Sequence, residues 1–160
     1  MKTTPHQIGD TMANFTTHEQ KTIKRAMAYM LRELKTNPVF TSPDLIKDYM
    51  RLHYAGCERE EFSVVYLDAQ HRLIEVKTEF VGTLTQTSVY PREIVKRAVL
   101  LNAAAVILAH NHPSGNNTPS RADEMLTDTL KSTLALIDCR VLDHLIVGHS
   151  VLSFAERGLI

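Results

Sequence analysis

Two histidines and an aspartate in the second half of the chain have the types and spacing of metal ligands. His110 and His112 are separated by one residue, and Asp123 follows shortly afterwards. Side chains two residues apart in an extended chain point the same way, so both imidazoles can reach one ion. Imidazole nitrogen and carboxylate oxygen suit zinc, and three protein ligands leave a fourth position open for hydrolytic chemistry. The set predicts a divalent metal site of catalytic type.

Ser120 and Asp123 also fit a purely structural role. The pattern Ser-x-x-Asp is a variant of the capping box, with Ser120 as the N-cap of a helix and Asp123 at the third helical position. An N-cap serine can order the same turn that presents an aspartate to a metal. The sequence therefore leaves both roles open, and they are compatible.

The elements on either side of the histidines follow from hydrophobic patterning. Residues 103–109 form an apolar run that predicts a buried strand, and a long helix is predicted from Ser120 to about Ile137. The ligands are then expected where a strand ends and a loop begins, a common place for a site on a rigid scaffold.

The remaining elements complete an α/β pattern. A helix is predicted from Thr17 to Asn37, with a capping box at Thr16 and Glu19 or at Thr17 and Gln20. Residues 1 to about 15 are expected to be poorly ordered. The order of elements predicts a mixed sheet packed against helices. The other predicted elements are a helix at 43–54, strands at 61–68, 72–76 and 80–84, a helix at 91–102, and strands at 140–147 and 150–154.

Composition bounds the class of protein. With 160 residues and 44% hydrophobic content, the chain can bury one core, so a single domain with an N-terminal extension is expected. The 18 basic and 18 acidic residues cancel, which disfavours a strong nonspecific nucleic-acid footprint. Cys57 and Cys139 lie far apart, so neither a thiolate zinc site nor a redox pair is predicted.

Several function classes are disfavoured by what the sequence lacks. It has no apolar leader and no run long enough to cross a bilayer, which predicts a soluble cytoplasmic protein without a membrane partner. The H-x-E and P-C-x-x-C motifs of zinc deaminases are missing, and so is the G-x-S-x-G of serine hydrolases. Base deamination and a serine nucleophile are therefore not predicted.

Taken together, these motifs resemble a known family. His110-x-His112, seven residues and then Ser120-x-x-Asp123 resemble the JAMM (MPN-plus) metalloprotease motif, H-[ST]-H-x7-S-x-x-D. The sequence of residues 110–115 resembles that of the bacterial RadC family specifically, and the resemblance covers roughly residues 40–160. Further fragments that match RadC proteins are residues 82–84, 91–94, 102–103 and 143–146, and Gly148.

Two departures accompany this resemblance. Asn111 stands where peptidase members of the JAMM group usually carry serine or threonine, although asparagine is what RadC members show. The helix-hairpin-helix-like region of full-length RadC proteins is expected to be truncated here, so the chain resembles the short, mobile-element-associated branch.

The resemblance implies an architecture and a metal site. It implies an α/β fold of MPN (JAMM) type, with a mixed, curved β-sheet sandwiched between helices and an N-terminal helical extension. Residues 1–38 would form a polar tail and the N-terminal helix, and residues 39–160 the MPN/RadC-like metal-binding domain. One zinc ion would be held by His110, His112 and Asp123, with water in the fourth position.

It also implies a general base and a reaction. JAMM enzymes use a glutamate at the start of the first domain strand. Glu58, Glu60 and Glu61 are the candidates here, and matching Phe62 to the family's E-x-F opening selects Glu60. Strand alternation places Glu60 and Phe62 on one face and Glu61, the second choice, on the opposite face. The implied activity is zinc-dependent hydrolysis of peptide or isopeptide bonds in an unknown protein or peptide. Ser120 would donate a hydrogen bond to the developing oxyanion.

Two other functions remain open from the sequence. One is an accessory role in DNA repair or recombination, in which nucleic acid enters only through the family's association. The other is a non-catalytic interaction module that keeps the metal site, and a homo-oligomer is compatible with either. His144 is open between a partner of the metal site and a structural histidine within a strand.

Overall fold

The computed structural model of the protein describes residues 12–82 and 89–160. These described residues form four α-helices, one short 3-10 helix and five strands. In chain order they are α1 (Thr17–Thr36), the 3-10 helix (Val39–Thr41), α2 (Pro43–His53), β1 (Glu61–Leu67), β2 (Leu73–Val81), α3 (Pro91–Leu101), β3 (Ala105–Asn111), α4 (Arg121–Ala135), β4 (Arg140–Val147) and β5 (Val151–Ser153).

The five strands form one mixed sheet in the order β2-β1-β3-β4-β5. β1 is antiparallel to both β2 and β3, β3 is parallel to β4, and β4 is antiparallel to β5. The ladder between β1 and β2 shifts register twice, as bulged strands do. This arrangement confirms the predicted α/β class with a mixed sheet.

Helices cover both faces of the sheet because its strands are apolar on both sides. Val65 and Ile107 share a buried cluster with side chains of α1 and α2. Their neighbours Val64 and Leu108 point the other way and share a second cluster with α3 and α4. Successive side chains of a strand alternate between faces, so β1 and β3 supply both cores. The predicted sandwich of a sheet between helices is confirmed.

The start of α1 settles which of two capping boxes forms. The Thr16 side chain accepts a hydrogen bond from the Glu19 backbone N–H at 3.3 Å, and the Glu19 carboxylate accepts one from the Thr16 backbone N–H at 2.7 Å. The box therefore lies at Thr16 and Glu19. Leu34 and Met27 of α1 join the same core cluster as β1. The division of the chain at residues 38 and 39 stays a prediction.

Two strand predictions differ from the structure. Phe80 and Val81 belong to β2, because the pairing with β1 continues as far as Glu61 opposite Val81. The separate third strand predicted there is therefore wrong for these two residues, while Thr83 and Leu84 lie outside the described residues. β3 begins and ends two residues later than predicted, because its pairing with β1 extends to His110 and its pairing with β4 extends to Asn111.

The N-terminal prediction is wrong where the structure describes it. Met12 is buried and Phe15 packs against the same core as α1, so these residues are held by hydrophobic contacts rather than poorly ordered. Residues 1–11 lie outside the described part of the chain. Across the described residues, no helix has the length and apolar character needed to cross a membrane.

Candidate metal centre

The end of β3 and the first turn of α4 bring three ligand groups together. The Nε2 atoms of His110 and His112 lie 2.9 Å apart, and His110 Nε2 lies 3.3 Å from Asp123 Oδ1. His112 Nε2 lies 3.8 Å from Asp123 Oδ2. The two imidazoles share a direction because they alternate with Asn111 along an extended chain, as their spacing predicts. The cluster can hold a metal ion.

Burial sets the protonation of the first ligand. His110 is fully buried and its ring stacks on Phe62, which lies opposite it on β1. Burial lowers the pKa of His110 to about 4, and the opposing attraction of Asp123 does not reverse that shift. The ring is therefore neutral near pH 7 and can offer a nitrogen lone pair.

A chain of hydrogen bonds determines which nitrogen of His110 carries the proton. The Thr127 hydroxyl donates to the Asp123 carbonyl oxygen at 2.7 Å, so it can only accept from His144 Nδ1, which lies 2.6 Å away. Burial lowers the pKa of His144 well below its usual value, so its ring is neutral and Nε2 must accept. His110 Nδ1, 2.8 Å from that atom, is then the donor. The lone pair of His110 lies on Nε2, facing Asp123.

His112 is oriented in the same way by a different partner. Its Nδ1 lies 2.6 Å from the carbonyl oxygen of Asn116, which can only accept, so Nδ1 carries the proton. In the neutral ring, Nε2 then presents a lone pair towards His110. The Nε2 atoms of His110 and His112 and the Asp123 carboxylate therefore face one another, and a bound cation would stabilise this arrangement.

The capping box of α4 orients the carboxylate. Asp123 Oδ2 accepts hydrogen bonds from the backbone N–H and the hydroxyl of Ser120, both at 2.7 Å. The Ser120 hydroxyl in turn accepts from the Asp123 backbone N–H at 3.1 Å. The cap is thus formed as the sequence suggested. It occupies Oδ2 and leaves Oδ1 directed towards His110.

Strand alternation assigns Glu60 and Glu61, the two leading candidates for the general base, to opposite faces of the sheet. Glu60 directly precedes β1, and continued alternation from Phe62 places it on the face that carries His110. Glu61 faces the other side, where burial raises the pKa of its carboxyl and a hydrogen bond from Cys57 partly offsets that rise. This placement favours Glu60, whose catalytic role stays a prediction, as does that of Ser120.

A cavity of about 260 Å³ opens beside the second histidine. Its wall includes Arg51, Cys57, Asn111, His112 and His149, so it borders the ligand cluster on the side of α2. Gly115 forms part of the rim, and a Cβ atom there would lie 2.2 Å from the His149 ring. The close approach of these two loops therefore requires glycine at this position.

Sequence reasoning missed part of the site. Thr127 lies four residues after Asp123 on α4, and that helical spacing is the signal that could have identified it. His144 was left open between two roles, and the structure places it against His110. Asn111 was noticed only as a departure from a motif, whereas its amide contacts the backbone beside Glu60.

Comparisons with known proteins agree with the motif. The chain matches the RadC-like JAB domain family over residues 40–159. It is 59% identical over 142 residues to a UPF0758 protein of Leptothrix cholodnii, an overlap of 88% of this chain and 64% of that relative. It is 58% identical over 138 residues to one of Methylibium petroleiphilum, covering 86% of this chain and 61% of that protein. The chain therefore spans less than two thirds of these two relatives.

A relative of similar length is also found. The UPF0758 protein YfjY of Escherichia coli is 52% identical over 143 residues, which cover 88% of this chain and 89% of that protein. The names of these three relatives state no activity.

Proposed function

The chain belongs to the RadC-like JAB domain family, and on that premise we propose that it is a zinc-dependent hydrolase of peptide or isopeptide bonds. The observation that supports this proposal is the meeting of His110 Nε2 and His112 Nε2 with the Asp123 carboxylate. Each histidine donates its other ring proton to a fixed partner, which is the arrangement by which proteins orient metal ligands.

The donor spacing fits zinc. Bonds of about 2.0 Å in a tetrahedral site place donor atoms about 3.3 Å apart, and His110 Nε2 lies 2.9 Å from His112 Nε2 and 3.3 Å from Asp123 Oδ1. His110, His112 and Asp123 would hold the ion. When bound, zinc would polarise the scissile carbonyl and lower the pKa of a coordinated water towards ~7.

The chain's own residues would move the proton. Glu60 accepts a proton from the attacking water and delivers it to the leaving amine as the C–N bond breaks. Ser120 donates to the developing oxyanion after its hydroxyl leaves Asp123 Oδ2, which the backbone N–H of Ser120 continues to hold. The cavity beside His112 gives a substrate side chain a place next to the ligands.

The test is a set of three glutamine variants in one short segment. Glu60→Gln is expected to bind zinc as the wild type does and to lose on the order of a hundredfold or more in cleavage of a peptide library. Glu58→Gln, at an exposed position, is the matched control and should cleave normally. Loss of cleavage in Glu61→Gln but not in Glu60→Gln would contradict the assignment of the base. A wild-type protein that binds zinc and cleaves no peptide would contradict the hydrolase.

A further inference from the structure

Asn111 is not one of the candidate ligands, but its side chain makes two hydrogen bonds to another segment of the chain. Asn111 lies between the two ligand histidines in sequence, and its side chain is buried, with only 4% of the residue's surface exposed. The amide oxygen Oδ1 accepts a hydrogen bond from the Glu61 backbone N–H at 2.7 Å. The amide nitrogen Nδ2 donates to the Arg59 carbonyl oxygen at 3.0 Å. One side chain thus bonds to two peptide groups of another segment.

These two peptide groups flank Glu60 on either side. The carbonyl of Glu60 itself accepts from the Gly82 backbone N–H at 2.8 Å. Glu60 lies just before the first ladder pair of β1, Glu61 with Val81, so strand pairing alone does not fix both of its peptide bonds. Asn111 supplies the missing contacts from the β3 side and thereby extends the order of β1 to include Glu60.

The residue type matters because the two contacts have opposite polarity. A carboxamide offers an acceptor oxygen and a donor nitrogen on one planar group, so it satisfies a backbone N–H and a carbonyl at once. The hydroxyl of serine or threonine has one oxygen on a shorter stem, so the same pair of contacts is out of its reach. Buried peptide groups left without a partner would destabilise the segment.

We propose that Asn111 is a positioning residue for Glu60: its carboxamide fixes the backbone on both sides of the glutamate and so fixes the carboxylate relative to the metal ligands. This inference rests on the proposed function. Because Asn111 is the last residue of β3 and lies between His110 and His112 in sequence, the end of β3 positions both the segment of the base and the two ligand histidines. A displacement of about 1 Å in a catalytic group can cost about a hundredfold in rate, which gives such a contact its value.

The first test is structural and uses the metal-free protein. Asn111→Ala should lower the hydrogen-exchange protection of the Glu61 amide on the order of tenfold, with the Leu108 amide in β3 unchanged. Asn111→Asp keeps the acceptor for Glu61 and loses the donor to Arg59, so protection of Glu61 should largely remain. Asn117→Ala is the matched control, because its amide bonds Ser150 rather than the Glu60 segment.

The second test reads the position of Glu60 directly. In protein labelled with 13C at glutamate carboxyl groups, the Glu60 signal is identified by its loss in Glu60→Gln. Zinc addition should shift this signal in the wild type and in Asn117→Ala, and shift it much less in Asn111→Ala. Zinc affinity should be the same in all three, since Asn111 is not a ligand.

The third test is non-additivity in cleavage of a peptide library. Asn111→Ala is expected to lose about tenfold to a hundredfold in kcat, and adding it to Glu60→Gln should cause no further loss. Unchanged Glu61 protection, an unchanged zinc-induced shift of Glu60, or a fall in zinc affinity in Asn111→Ala would each overturn the proposal. If the wild type cleaves no peptide, the hydrolase fails, while exchange and the carboxyl signal still decide whether Asn111 positions Glu60.

Discussion

Thr127 and His144 determine which nitrogen of His110 faces the ligand cluster. A series of hydrogen bonds connects the Asp123 carbonyl, the Thr127 hydroxyl, the His144 ring and His110 Nδ1 in that order. Each donor in the series is fixed by the acceptor before it. This series of hydrogen bonds begins and ends on residues of the ligand cluster. A substitution at Thr127 should therefore change the affinity for the metal, although Thr127 is not a ligand.

Replacing Thr127 tests the effect of this series of hydrogen bonds. Thr127→Val keeps the shape of the side chain and removes its hydroxyl, so His144 loses the acceptor that fixes its tautomer. The dissociation constant for zinc should rise about tenfold to a hundredfold, as measured by competition with a chromophoric chelator. Thr127→Ser keeps the hydroxyl and should restore tight binding. Equal affinity in the valine variant and the wild type would contradict this effect.

The ligands were predictable from sequence, and their partners were not. His110, His112 and Asp123 are close along the chain, so their spacing alone predicts that they meet. Thr127 and His144 meet because β3 and β4 are parallel with a shifted register and because one face of α4 packs on them. Local sequence determines neither the register between β3 and β4 nor the rotation of α4 about its axis.

At the scale of elements, α1 and α4 begin with the same device for different purposes. Both have complete capping boxes, Thr16 with Glu19 and Ser120 with Asp123. Only the second includes a candidate ligand. Comparing the two helices therefore separates the contribution of a cap to the stability of the fold from its effect on metal binding.

Alanine at each cap makes this separation measurable. Thr16→Ala and Ser120→Ala should each lower the free energy of unfolding of the metal-free protein by about 1 kcal/mol, measured by urea denaturation. Ser120→Ala should in addition weaken zinc binding, because the Asp123 carboxylate loses the hydroxyl that holds Oδ2. Thr16→Ala should bind zinc normally. A Ser120→Ala protein with wild-type zinc affinity would show that the cap does not orient the ligand.

Helix boundaries were predicted more closely than strand boundaries. Caps and prolines are local signals, and the starts of α1, α2, α3 and α4 follow them. Strand ends depend on how far a neighbour continues to pair. β2 runs to Val81 because β1 offers partners that far, and β3 reaches Asn111 because β4 pairs with it that far.

At the scale of the whole molecule, His53 at the end of α2 lies half-buried against the sheet. His53 Nε2 lies 3.2 Å from both the Ser63 hydroxyl and the Thr78 hydroxyl. Burial lowers the pKa of His53 to about 4. The neutral ring is therefore part of the folded core, and its protonation is linked to unfolding of the entire domain.

The sign of this linkage follows from where each state takes up the proton. The pKa of His53 is about 6.5 in the unfolded chain and about 4 in the folded protein. Between these values the unfolded state binds more protons, so the free energy of unfolding should fall as pH falls, by up to about 1.4 kcal/mol per pH unit from this group. Above the unfolded pKa His53 should contribute no pH dependence.

A single substitution isolates the contribution of His53. In metal-free His53→Gln, urea denaturation at about pH 7 and about pH 5 should show a smaller drop in stability than in the wild type. The buried histidines of the ligand cluster are common to both proteins and cancel in the difference. An identical pH dependence in the two proteins would mean that His53 takes up its proton equally in the folded and unfolded states.

The metal content of the purified protein tests the central claim most directly. The structure places two imidazole nitrogens and a carboxylate within reach of one ion, and each imidazole is oriented by a hydrogen bond at its other nitrogen. Elemental analysis of protein purified without chelators should find one zinc per chain in the wild type and in His18→Ala, an exposed histidine on α1. His112→Ala should bind substoichiometric zinc. A wild-type protein that contains no metal, and takes up none when zinc is added, would contradict the account.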